Sequence, residues 1–198
     1  MKKSFVILLI TISLSSCSKY TLDDTIFVHD QDNWNLPAYT ELGYNSFGAQ
    51  YERDYFLVSS KIVPCKISYK EELLYFALSG TIGAGKEMSL TFIFPSKQMN
   101  DYTDLLQLNH IEIDLSEDEC IVIMKQDNHE TILNIFYGRL FFKRAQILNI
   151  DDEMNRIILS GLFDLYFIEN DFSTSIENGR FDLGITNKVF FSQTKDPI

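Results

Sequence analysis

Positive charge is what this sequence is shortest of. Its 17 lysines and arginines face 28 aspartates and glutamates, a net charge of −11 over 198 residues. Such a chain is poorly suited to nucleic acid or anionic headgroups, which need a basic face. Histidine is scarce too. His29, His110 and His129 show no His-x-His or His-x-x-x-His spacing, so there is no local zinc signature. The Gly-x-Ser-x-Gly elbow of serine hydrolases is absent. No apolar run approaches the about 20 residues that span a bilayer as a helix. Acidic groups at Glu117–Glu119, Asp151–Glu153 and Asp30/Asp32 lack the alternating ligands and glycine of an EF-hand loop, and read as solvated turns. Carboxylates are abundant, but nothing favours one pair as glycosidase machinery. No metal, cofactor or nucleic acid is therefore expected, and no catalytic residue is singled out.

What is present starts at the N-terminus. Lys2 and Lys3 precede an apolar run, Phe5–Ile12, broken only by Thr11. That is the size of a signal-peptide core. Leu14-Ser15-Ser16-Cys17 follows and resembles the lipobox of bacterial lipoproteins. The resemblance implies cleavage before Cys17, acylation of that cysteine, and loss of residues 1–16. Two or three acyl chains suffice to hold a protein on a membrane. Ser18, where an aspartate would signal retention, resembles an outer-membrane address, and Asp23 and Asp24 are similar to surface-export signals. The mature chain of 182 residues is ample for one domain. Losing two leader lysines takes its net charge to −13.

Residues 17–44 read as a lipidated tether passing into an arm, 45–190 as an antiparallel β domain, and 191–198 as a tail. Within 45–190 runs rich in Ile, Phe, Tyr, Val and Thr recur, and Met88, Leu90, Phe92 and Phe94 alternate with Ser89, Thr91 and Ile93. Gln126–His129 and Asp151–Asn155 read as hairpin turns. Gly138 and Gly161 interrupt long strands and mark bends. Lys70–Leu74 and Asp101–Leu108 are the two candidate helical turns. The pattern predicts an all-β fold of nine or ten strands, a sandwich or a flattened barrel. Gly161-Leu-Phe-Asp-Leu165, Ile176–Leu183 and Asn45-Ser-Phe-Gly-Ala49 resemble strands of all-β lipoprotein domains of unknown function from gut Gram-negative anaerobes. That resemblance spans roughly residues 45–186 and implies an extracytoplasmic β domain without catalytic residues.

Gly80-Thr-Ile-Gly-Ala-Gly-Lys-Glu87 matches most of a P-loop, but Glu87 stands where a magnesium-binding hydroxyl is needed and a strand pattern follows where a helix is needed. It reads as a hairpin turn that pairs residues 73–79 with 88–94, and no nucleotide is expected. Cys65 and Cys120 are either a disulfide or two buried thiols. Trp34, Tyr39, Tyr44, Tyr51 and Tyr55 are either an aromatic platform for a sugar ring or an arm packed over the sheet edge. These features predict a non-catalytic lipoprotein anchored at the outer membrane, facing periplasm or cell surface and binding a glycan or protein partner. The alternative is a β-barrel carrier of a small apolar ligand, and a hydrolase comes last.

Overall fold

The computed structural model describes residues 21–60, 62–127, 129–150 and 153–193; the leader, Cys17 and the last five residues lie outside them. Among the described residues twelve strands form: β1 (Ser46–Tyr51), β2 (Asp54–Val58), β3 (Cys65–Lys70), β4 (Leu73–Ile82), β5 (Lys86–Pro95), β6 (Ile111–Asp114), β7 (Ile121–Gln126), β8 (His129–Ile132), β9 (Asn134–Ile150), β10 (Glu153–Glu169), β11 (Phe172–Ile185) and β12 (Phe190–Gln193). Ten of them lie in one antiparallel order, β6-β9-β10-β11-β1-β2-β4-β5-β7-β8, and the sheet curls strongly into a half-barrel. β3 continues the edge of β4 where β2 leaves it, and pairs in parallel with β12. β12 occupies the start of the segment read as a tail. Among the described residues no helix is long and apolar enough to cross a membrane.

The turns carry the residues that tight hairpins require. β4 and β5 pair from Leu73↔Pro95 to Ile82↔Lys86. Gly83 (φ 53°) and Gly85 (φ 89°) take the left-handed conformation between them. The P-loop-like string is thus a hairpin, and no helix follows it. Gln126↔His129 and Ile150↔Glu153 close the other two expected hairpins. Asp101–Leu108 holds a short 3-10 helix, Tyr102–Leu108, whose first turn is capped by Asp101 and Asp104. Lys70–Leu74 is not helical. Glu71 and Glu72 both have positive φ, the signature of a two-residue type I′ hairpin joining β3 to β4.

The curl has a sequence cause in reciprocal Gly–Phe pairs. On β10 and β11 Gly161 sits opposite Phe181, and Phe163 sits opposite Gly179. A Cβ on Gly161 would lie 2.6 Å from the Phe181 ring, and one on Gly179 would lie 2.5 Å from the Phe163 ring. Each phenylalanine fills the space its partner glycine leaves, so the sheet bends without a void. Gly80 does the same under Phe47. The inner face this creates is solid. Phe76 meets Phe142 and Phe181, and Phe92 meets Phe163, at centroid distances of 5.0 to 5.5 Å, joining β4 and β5 to β9, β10 and β11. Each such ring contributes about 1.5–3 kcal/mol by burial, and tilted contacts add to it.

Candidate functional site

β10 divides into two halves by burial. Arg156 to Gly161 are six consecutive buried residues, whereas from Leu162 onward buried positions alternate with more exposed ones. Alternation is what one solvated face gives. Burial on both faces of the first half requires a cover, and the N-terminal arm supplies it. Pro37 lies against Gly48, and Leu36 is fully buried. The arm therefore packs across the outer face of β10, β11 and β1, not over a sheet edge.

Polar clamps hold it there. The Asp182 carboxylate on β11 is 1% exposed and accepts from the backbone N–H groups of Leu42 (3.1 Å), Gly43 (2.7 Å) and Tyr44 (3.3 Å), and from the Thr40 hydroxyl. Asn45 donates to the carbonyl of Leu22 and accepts from Gly184 N–H. Buried Arg156 donates to the Leu22 carbonyl and, at 3.2 Å, to Asp23. Arg180 donates to Asp30 at 2.5 Å. Burial opposes ionisation of Asp23, but Lys188 and then Arg156 outweigh it and hold its pKa below the usual carboxylate range.

The five aromatics singled out from sequence do not converge. Trp34 is 69% exposed at the tip of the arm, with one face stacked on the His29 ring at 4.3 Å. Tyr39 is half-buried under the Lys143 ammonium and donates to Glu41. Tyr51 donates to Glu169 at the other end of the sheet, and Tyr44 and Tyr55 are half-buried. Among the described residues no ring contact joins any two of them. Burial, with a carboxylate beside each hydroxyl, pushes the Tyr39 and Tyr51 pKa values up.

Cys65 and Cys120 are free thiols, so the disulfide alternative is corrected. The register explains why. Cys65 pairs with Leu78, Leu78 with Leu90, and Leu90 with Met124. β3 and β7 are thus three inter-strand steps apart, about 14 Å at ordinary spacing. A bridge tolerates only about 7 Å between Cα atoms. Burial pushes the Cys65 thiol up; burial, then Asp114, Glu117 and Glu119, do so at Cys120.

The exposed aromatics that do converge lie on β9, beside the open half of β10. Tyr166 pairs with Tyr137, but the next β10 residue, Phe167, pairs with Ile135. Phe136 is therefore the extra residue of a β-bulge, and both Phe136 and Tyr137 project outward, each 53% exposed. Re-aiming a side chain is what a bulge does. Their rings meet that of Tyr166 at 6.4 and 5.6 Å. Burial and then the nearby Glu177 carboxylate push the Tyr166 pKa up. Asp164 and Arg139, 3.5 Å apart, border the group. Sequence reading missed this site because Phe136-Tyr137 sits inside a strand pattern, where consecutive aromatics read as core. The break in alternation was the available signal.

A cleft of about 750 Å³ lies at the arm root, between Asp23–Thr25, the β2–β3 loop and the segment after β11. Among the described residues no three His, Cys, Asp or Glu side chains are grouped to hold a metal ion. No family model matches the chain, and neither a curated protein nor a solved structure matches it.

Proposed function

We propose that the protein is a non-catalytic, extracytoplasmic lipoprotein, anchored in the outer membrane through acylated Cys17, that binds a neutral glycan on the Phe136–Tyr137–Tyr166 surface. The observation that carries the glycan reading is the bulge itself. It gives up a regular ladder position to hold two consecutive rings in solvent beside a third. A pyranose has an apolar face and hydroxylated edges. The aromatic rings match the face, and Glu177, Asp164 and Arg139 match the edges. The acidic chain favours an uncharged sugar over an anionic one.

The carrier alternative lacks support, because nine phenylalanines are fully buried in the interior where an apolar ligand would sit. Isothermal titration of the mature chain against neutral oligosaccharides tests the proposal. Binding is expected to fall sharply in Tyr137→Ala with the fold unchanged. Undiminished binding in both Tyr137→Ala and Phe136→Ala would sink it. Cys17→Ala is expected to abolish acyl labelling, and persistent labelling refutes the anchor.

A further inference from the structure

We infer that the arm root is the surface on which the domain rests against its own bilayer. This rests on the reading of Cys17 as the acylated residue. From Cys17 to Thr21 the chain takes four Cα steps, at most about 14 Å when extended. The headgroup layer takes up about 5–7 Å of that reach. The domain's first described residue is therefore held at the lipid surface, and what surrounds it faces lipid.

The surroundings suit that neighbour. Leu22 and Val63 project beside the cleft, 42% and 63% exposed. Ile62 and Pro64 line the same wall. The carboxylates of the cleft each have a hydrogen-bond partner. Asp23 is engaged by Arg156 at 3.2 Å and Lys188 at 3.4 Å, and the Asp24 carboxylate accepts from Thr21 N–H at 2.6 Å. In a chain this acidic, a corner with its carboxylates partnered and aliphatic groups exposed fits zwitterionic headgroups and the upper acyl layer. The same geometry turns the aromatic surface outward. Tyr166 lies ten residues along β10 from Arg156, about 33 Å at strand rise.

The test uses the acylated chain carrying Cys120→Ser, with a fluorophore on Val63→Cys or on Ala84→Cys in the exposed β4–β5 turn. Each is reconstituted in phosphatidylcholine vesicles containing a lipid with a nitroxide near the headgroup. Quenching at position 63 is expected to exceed that at position 84 several-fold, and to vanish at both in the Cys17→Ala chain. Equal quenching at the two positions, or stronger quenching at 84, in protein that is acylated and floats with the vesicles overturns the resting surface alone. Absence of acylation in the unaltered chain removes the tether and overturns both readings.

Discussion

The first half of β10 buries polar groups, and the second half exposes aromatic ones. Around Arg156 and neighbouring Asp182, carboxylate, guanidinium and amide groups lie under the arm and bond its backbone. Around Tyr166, ten residues later on the same outer face, the Phe136 and Tyr137 rings stand in solvent with no cover over them. A buried polar group is retained only where its partners are fixed, because an orphan costs more than an apolar replacement. The arm-covered half is therefore built for one rigid arrangement. The open half is built for contact with something else. Both halves share one inner core, so the difference arises entirely on the outer face.

Asp182→Ala breaks the comparison most severely. It orphans the N–H groups of Leu42, Gly43 and Tyr44 together with the Thr40 hydroxyl. The expected loss is about 3–5 kcal/mol, or roughly 10 °C in Tm for a domain of this size. Trp34 is the single tryptophan and sits on the arm, so its fluorescence reports the arm alone. Hydrogen exchange at Leu165 and Phe167 reports the open half. Arm release with those amides still protected sharpens the division. Loss of both signals together means that arm and sheet are one cooperative unit.

Gly161→Ala comes next, because it attacks the core that the halves share. The new Cβ would stand 2.1 Å from the Phe141 carbonyl oxygen and 2.6 Å from the Phe181 ring. Backbone cannot yield as a side-chain tip can, so about 2–3 kcal/mol is expected. Gly85→Ala has no atom within 4 Å and meets only its positive φ, a cost of about 1 kcal/mol. Denaturant melts of the two variants rank them, and equal losses would remove the Gly–Phe account of the curl.

Tyr137→Ala touches only the open half. Stability is expected to stay within about 0.5 kcal/mol, while affinity for a stacked sugar falls about tenfold, or ~1.4 kcal/mol. A loss of stability comparable to that of Gly161→Ala would make the ring structural and erase the contrast.

These residues differ in how far sequence exposes them. The β4–β5 hairpin was legible because glycines in the turn and period-two alternation in the strands state the same pairing. The all-β class was legible for the same reason across several strands. The arm's course was not. Asp182 and Arg156 sit on strands at positions that alternation assigns to solvent, and only a long-range cover makes them buried. The aromatic site was hidden by a one-residue insertion relative to a partner strand, and register of that kind is a property of two segments, not one. β12 was missed because Phe190–Gln193 is too short to show a period, and each of its residues pairs with one of β3 that lies 123 positions earlier.

The smallest expected effect separates the halves by pH. Asp30 on the arm accepts from Asn33 N–H at 2.9 Å, from Asp32 N–H at 2.8 Å and from Arg180. The Asn33 bond is the largest influence. Together with Asp32 and Arg180 it outweighs burial and holds the pKa below the ordinary 3.8. A carboxylate depressed in the folded state stabilises it above the unfolded value, and that contribution is lost as pH falls through the folded one. The arm should therefore loosen below about pH 3.8, seen as a change in Trp34 emission before far-ultraviolet dichroism reports loss of the sheet. The shifted groups of the open half move the other way: Tyr51 and Tyr166 are raised and do not titrate in acid. Arg180→Gln should weaken the depression and move the Trp34 transition toward higher pH.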